Sequence, residues 1–355
     1  MTHRPAAVAL LLALLLAAFA CSQPEPAATT EPVVTGPRLV ERAFTTMGSE
    51  LRLTAWTADE PAAVAAFDEV FREFDRLDTM MSVWREGSEV LKLNGAAGDH
   101  PVPISPEVRD TLLAARQVSE WTGGKFDVTF GVLSGLWKFD EQNKDNRIPD
   151  PADVRARLPL IDYRELVVNA QAGTAFLKKK GMSVHLGGIG KGYAVDRAAE
   201  ILRVRGLRDF MIQSGGDLYV AGRKGDRPWR LGIRDPRGPA DKSFAALELS
   251  DATFSTSGDY ERFFLAGGRR YHHIVDPDLG EPTRGTRSVT IVTSRATLAD
   301  GLSTGVFLLG PEAGMALIER LPDVEGVIVS DRNEVLVSSG LQDQLIRLAP
   351  PTDAP

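Results

Sequence analysis

Apolar residues recur at helical spacing in Val64, Phe67, Val70, Phe71, Phe74 and Leu77, and Asp59 and Pro61 stand just ahead of them as start signals. Before this helix, Leu39–Thr46 and Leu51–Trp56 alternate as two strands around the turn Met47-Gly48-Ser49. After it, Asp78–Asn94 (DTMMSVWREGSEVLKLN) breaks any simple period at Ser82, Trp84, Ser88 and Asn94. A second helix starts with Ser105 as N-cap and Pro106 in its first position, and stops at Gly123 and Gly124. Residues 142–157 are polar with two prolines and read as a surface excursion. Two or three short strands between Leu166 and His185 then lead into HLGGIGKGYAVD (His185–Asp196), and a helix follows with Ala194, Ala198, Ile201 and Leu202 on one face.

Further strands are expected at Phe210–Gln213, Leu218–Ala221, Trp229–Arg234, Ala245–Leu249, Phe263–Leu265, Tyr271–Val275 and Ser288–Ser294. Leu298–Leu309 and Pro311–Arg320 read as helices, and Val324–Val329 with Val335–Val337 as a terminal hairpin. Strands grouped in hairpins and punctuated by helices predict an α+β fold of mixed or antiparallel sheets with packed helices, in a single large domain at residues 38–348. No fixed-period repeat interrupts this reading.

The ends differ from the middle. Residues 1–20 carry Arg4, an apolar run from Ala6 to Ala20 and small residues before Cys21, the pattern of a signal peptide. Ala18-Phe19-Ala20-Cys21 resembles a bacterial lipobox, which implies an exported chain lipid-anchored at Cys21; ordinary signal-peptidase cleavage is the alternative. Residues 21–37, rich in Pro, Ala, Thr and Glu, read as a disordered tether, and residues 349–355 as a flexible tail. Cys21 is the only cysteine, so the chain has no internal disulfide and no thiol nucleophile beyond it. A formal net charge of −7 gives no basic face for nucleic acid.

Chemistry concentrates in the glycine loop. A glycine-rich turn entering a helix N-terminus offers unpaired N–H groups and a favourable dipole to an anion, phosphate first. It matches neither common nucleotide pattern. Gly190 and Lys191 suit a P-loop, but His185 stands at its first glycine and Gly192 at its Ser/Thr; Gly188 and Gly190 suit the dinucleotide fingerprint, but Tyr193 stands at its last glycine. A tight strand-to-helix turn with a solvated lysine has the same letters. Downstream, Asp300 and Thr304 in ADGLST are four apart and share one face of the predicted helix, as half of an oxygen site for a hard cation such as Mg²⁺ or as a plain helix cap. Gly301-Leu302-Ser303-Thr304-Gly305 mimics a hydrolase nucleophile elbow, yet all five histidines precede Ser303, which is the wrong order. His272, His273 and Asp276 lie in YHHIVDP at a strand end, where successive side chains face opposite ways, so one histidine can reach a site as a base. Trp84 and Trp137 suit either a core position or a ligand platform.

Together these segments resemble the ApbE family of FAD:protein FMN transferases. The resemblance runs from about Met47 to Gly310. It rests on MGS at Met47, the Asp78–Asn94 segment ending LN, GKFDVT at Gly124, the glycine loop, SGGDL at Ser214, STSGDY at Ser255, HIVDP at His273 and ADGLST at Ala299. It implies that the FAD pyrophosphate is split, FMN is joined through a phosphoester to a Thr or Ser of an acceptor flavoprotein subunit of a membrane redox complex, and AMP leaves. It also implies Mg²⁺ held by Asp300, Thr304 and the Gly188 carbonyl, with His273 as the catalytic base. FAD contacts map to Met47, Trp84, Lys125, Phe126, Asp127, His185, Lys191 and Ile274. Family members often carry an acidic residue where His185 stands, and Ser49 replaces a commoner threonine. Two other activities share these residues: an FAD pyrophosphatase, and a flavin-binding lipoprotein without catalysis.

Overall fold

The computed structural model describes residues 36–139 and 146–354. The expected signal peptide at 1–20 and most of the tether at 21–37 lie outside the described residues. In chain order the elements begin with β1 (Arg38–Thr46), β2 (Ser49–Thr57), α1 (Glu60–Met81), α2 (Glu89–Gly95), β3 (Val102–Pro103), α3 (Pro106–Trp121) and α4 (Pro151–Arg157). Next come β4 (Leu166–Asn169), β5 (Thr174–Leu177), α5 (Gly190–Val204), β6 (Phe210–Ser214), β7 (Asp217–Ala221), β8 (Trp229–Arg234) and β9 (Ser243–Leu249). The last part holds β10 (Ala252–Gly258), β11 (Phe263–Ala266), β12 (Arg269–His272), β13 (Val275–Asp276), β14 (Glu281–Pro282) and β15 (Thr286–Thr293), then α6 (Ala296–Leu309), α7 (Pro311–Arg320), β16 (Glu325–Ser330), β17 (Val335–Val337) and β18 (Ile346–Arg347).

An eight-stranded sheet in the order β1-β2-β6-β7-β10-β15-β16-β17 organises the molecule, and every pairing in it is antiparallel. The α+β expectation therefore holds. On one face, α1, α3, α5 and α6 build the main core around Phe67, Phe74, Phe210 and Phe307, all fully buried. Burying each such ring stabilises by roughly 2 kcal/mol. On the other face the small sheet β18-β9-β8 closes a second core through Trp229, Leu231, Phe244 and Leu247 against Val220, Phe254 and Val292. Strand β15 is covered from both sides, and all its residues are buried.

Four places depart from the sequence reading. Helix α1 continues to Met81, and α2 starts behind an N-cap in which Ser88 accepts from Leu91 N, inside the segment with no simple period. Helix α4 occupies the end of the polar excursion, capped by Asp150 with Pro151 in its first turn. Strand β10 goes unread because its Ser and Thr side chains lack an apolar alternation; their hydroxyls are bonded inside the protein instead. The expected flexible tail is held: Leu348 N and Ala349 N donate to Phe244 O, Pro351 is buried, and Thr352 donates N–H and O–H to the Asp235 carboxylate.

Candidate functional site

The glycine loop is clamped at its start and its end. Asn94, closing the LN motif on α2, exchanges two hydrogen bonds with the Val184 backbone, and His185 N donates to Val128 O. Gly190 N then turns back onto Leu186 O as α5 begins. A Cβ on Gly192 would stand 2.2 Å from Ala296 O and 2.7 Å from the Asp300 Cβ, so only glycine lets α6 cross here. Two carboxylates use this closeness. Asp300 of α6 accepts from Gly192 N at 2.9 Å, while Asp196 of α5 accepts from Ala296 N, Thr297 N and the Thr297 hydroxyl. Each helix thus caps the other's N-terminus.

The reciprocal cap brings Gly188 beside Thr304, whose Oγ1 lies 3.6 Å from the Cβ position of Gly188. Ser257 of β10 adds a hydroxyl 2.8 Å from Ser303 Oγ and 3.2 Å from Thr304 Oγ1. Ser303, buried and donating to Asp300 O, serves this network rather than a nucleophile elbow. Lys191 Nζ bonds Asp217 Oδ2 at 2.5 Å, and Ser255 donates to Asp217 Oδ1 at 2.5 Å. Burial works against the Lys191 charge, but Asp217 and Asp300 together hold its ammonium above the ordinary lysine value. Burial and the neighbouring Asp217 push the Asp300 carboxyl up to about 7, against the pull of Lys191 and the Gly192 N–H. No cluster of three or more His, Cys, Asp or Glu side chains suited to a metal exists among the described residues. The oxygen-rich corner is instead one carboxylate, hydroxyls and a glycine backbone.

Strands β11 and β12 bring the histidines in. His272 is buried, with Nε2 against Thr283 O at 2.9 Å and its ring edge-on to Phe307. His273 faces the other way. Its N donates to Arg262 O at 3.1 Å, and its buried Nδ1 has no partner among the described residues. Burial, then Arg262, lower His273 to about 3 and His185 to about 4, so both rings are neutral at pH 7. Within the loop, His185 Nδ1 accepts from Gly187 N at 3.0 Å, which leaves the ring proton on Nε2.

The other expected contacts spread around this centre. Met47 and Gly48 both take positive φ in the two-residue turn between β1 and β2, and at Met47 that left-handed backbone is uncommon. The neighbouring Ser49 side chain and Lys191 Nζ both approach the Cβ position of Gly215, at 3.5 and 3.7 Å. Phe126 is buried 3.4 Å from the Gly188 Cβ position. Lys125 pairs with Asp276 and Asp278. Asp127 accepts from Thr129 N, Thr129 Oγ1 and Tyr163 N, so its carboxylate braces the backbone. Ile274 turns its side chain into the main core. Trp84 projects from the loop after α1 and is 79% exposed, while Trp137 stacks in an aromatic cluster with Phe139 and Tyr271. Asp196, Asp217 and Ser257 lie within the quoted motifs without a role of their own in the sequence reading, and Arg262 lies outside those motifs. Asp217 was signalled by the Gly215-Gly216 strand-end turn just before it, and Asp196 by its place four residues after the loop's last glycine.

Comparison with known proteins agrees with this architecture. The sequence profile of the ApbE family matches residues 47–328. An FAD:protein FMN transferase of Klebsiella pneumoniae is 32% identical, over 86% of this chain and 92% of the relative. One of Treponema pallidum is also 32% identical, over 87% and 89%. Among solved structures, the ApbE protein of Thermotoga maritima superimposes with a TM-score of 0.79 at 30% identity, covering 86% of this chain and 99% of that one. The flavin transferase ApbE of Vibrio cholerae gives 0.77 at 26% identity, over 87% and 99%. The chain belongs to the ApbE family.

Proposed function

We propose that this chain is an Mg²⁺-dependent FAD:protein FMN transferase. The observation that carries the reading is the meeting, through the α5–α6 cap, of Gly188, Lys191, Asp300 and Thr304, with the Lys191 charge among those that bear on the neutral His273. The residues present fit a hard divalent cation. Asp300 is buried with one N–H donor for its two oxygens, and the two carboxylates Asp217 and Asp300 share one lysine. Asp300, the Thr304 hydroxyl and the Gly188 carbonyl are the donors that would hold it. When bound, Mg²⁺ neutralises charge on the pyrophosphate oxygens.

The chain's own residues do the rest. Lys191 offers its ammonium to the phosphates from the first turn of α5, whose N-terminus favours the same anion. His273 takes the proton of the acceptor Thr or Ser hydroxyl at its unpartnered Nδ1. The hydroxyl oxygen bonds the FMN phosphorus, the bond to the bridging oxygen breaks, and AMP leaves with the electron pair. The flavin ring has Trp84 as a flat exposed partner.

The apolar run from Ala6 to Ala20 ahead of Cys21 supports an exported enzyme, lipid-anchored to a bacterial membrane on its extracytoplasmic face and acting on a subunit of a membrane redox complex. No helix among the described residues is long and apolar enough to cross a membrane. Product analysis after incubation with FAD and Mg²⁺, with and without a threonine-bearing acceptor peptide, separates the readings. AMP release that requires peptide supports transfer. Equal AMP and free FMN without peptide identifies a pyrophosphatase, and unchanged FAD under all conditions leaves a flavin-binding lipoprotein.

A further inference from the structure

The β11–β12 hairpin sorts its residues strictly onto two faces. Phe263 pairs with His272 and Phe264 with Tyr271, and residues facing each other across antiparallel strands share a face. One face carries Phe263, Arg270 and His272: Arg270 lies 3.9 Å over the Phe263 ring, and His272 is buried. The opposite face carries Phe264 and Tyr271, whose rings stack at 5.2 Å. His273 continues that second face. Its cross-strand neighbour is Arg262, joined through His273 N and Arg262 O at 3.1 Å, so the two side chains leave the hairpin on the same side.

Arg262 differs from the other arginines of this hairpin. Arg269 pairs with Glu281 and covers Tyr271, and Arg270 is stacked on Phe263. The exposed Arg262 guanidinium has neither a carboxylate nor a ring among the described residues. Its neighbour Glu261 is taken by Arg234, and Asp259 by Arg237. The charge of Arg262 nevertheless bears on His185, His273 and Lys191, three residues from the glycine loop and the strand end. The two histidines are neutral and Lys191 is paired with Asp217, so the unbalanced charge here is that of Arg262, and an anion between these groups would balance it.

We propose that Arg262 is a further substrate-binding residue, its guanidinium gripping phosphate oxygens of the dinucleotide on the face it shares with His273. The assignment rests on the flavin transferase reading. It divides the anion contacts between two elements: Lys191 from α5 on one side, Arg262 from the hairpin on the other. A guanidinium is planar and presents several fixed donors, so it orients a phosphate as well as attracting it. Proton transfer stays with His273.

The test compares ligand affinity for wild type, Arg262→Gln and Arg262→Lys, using FAD, ADP and riboflavin in separate titrations. Because Arg262 is exposed, both variants should unfold at the wild-type temperature, which is measured alongside. The expected result is an affinity loss of tenfold or more for FAD and ADP in Arg262→Gln, a smaller loss in Arg262→Lys, and no change for riboflavin, which lacks phosphate. In turnover, KM for FAD should rise more in Arg262→Gln than in Arg262→Lys. Unchanged FAD and ADP affinity in Arg262→Gln overturns the assignment while leaving the transferase reading intact. An equal loss for riboflavin also overturns it, since it would point to a flavin-ring or folding effect. Wild-type protein that binds neither FAD nor ADP overturns the reading beneath it and the assignment together.

Discussion

The Asp300 carboxylate accepts the backbone N–H of Gly192 at 2.9 Å, across 108 positions of sequence. This bond sits where the N-terminus of α5 meets the first turns of α6, and Asp196 returns it by capping α6. One residue therefore closes the anion loop and supplies a carboxylate to the oxygen-rich corner. Stability and chemistry are coupled at this contact, and the expected effects of substitution follow from separating the two.

Replacing Asp300 with Asn keeps the shape and an acceptor for Gly192 N but removes the charge. We expect Mg²⁺ to raise the melting temperature of the wild type and to leave Asp300→Asn unshifted, with transfer activity lost. A Mg²⁺-induced shift of equal size in both proteins would remove Asp300 from the metal site.

Gly192→Ala should be severe. Its Cβ would stand 2.2 Å from Ala296 O, and backbone on both sides cannot yield as a flexible side chain can. A destabilisation of about 1–3 kcal/mol by chemical denaturation is expected from such overpacking, with activity falling further than stability because Gly188 and Thr304 move apart. Wild-type stability in this variant would mean that the two helices are not in contact as described.

Asp196→Ala removes three hydrogen bonds from the start of α6. Loss of a helix N-cap costs about 1–2 kcal/mol. Urea denaturation should show that loss, and the Mg²⁺ concentration needed for half-maximal activity should rise, since Asp196 fixes the helix that carries Asp300 and Thr304.

The histidines predict a pH dependence with a definite sign. In the folded state His273 is lowered from 6.5 to about 3, mainly by burial. Between these values the unfolded chain binds the extra proton, so this contribution to stability is present above pH 6.5 and is lost as pH falls toward about 3. Stability curves of wild type and His273→Gln should therefore converge or cross as the pH is lowered through that window. The same shift keeps the base neutral, so transfer should not decline through His273 protonation between pH 5 and 8. His273→Ala should slow transfer with FAD affinity nearly intact, whereas His272→Ala should mainly reduce stability, because His272 is buried and bonded to Thr283 O.

Much of this was legible in the residues, for reasons that particular positions make plain. Helix α1 announces itself by apolar spacing and by Asp59 at its start, and α3 by Ser105 and Pro106. The opposed directions of His272 and His273 follow from strand geometry alone, and the structure buries one and leaves the other's Nδ1 unpartnered. Strand β10 was hidden because Ser255 and Ser257 put hydroxyls where a strand normally shows apolar side chains; their partners, Asp217 and Ser303, are 38 and 46 residues away. Arg262 was invisible for a related reason. Its meaning lies in being the cross-strand neighbour of His273 while its side chain lacks a carboxylate or ring partner among the described residues, and composition records neither fact. The terminal segment read as flexible because its letters are small and polar, yet Thr352 is held by Asp235 across 117 positions.

Transfer of FMN to a protein hydroxyl is the step on which the proposed function turns. Its most direct test is tandem mass spectrometry of a threonine-bearing acceptor peptide after incubation with the enzyme, FAD and Mg²⁺. The expected product is a stable FMN adduct localised to the threonine oxygen, with one AMP released for each adduct, and neither product from Asp300→Asn. Peptide that stays unmodified while FAD is cleaved to free FMN and AMP would contradict it.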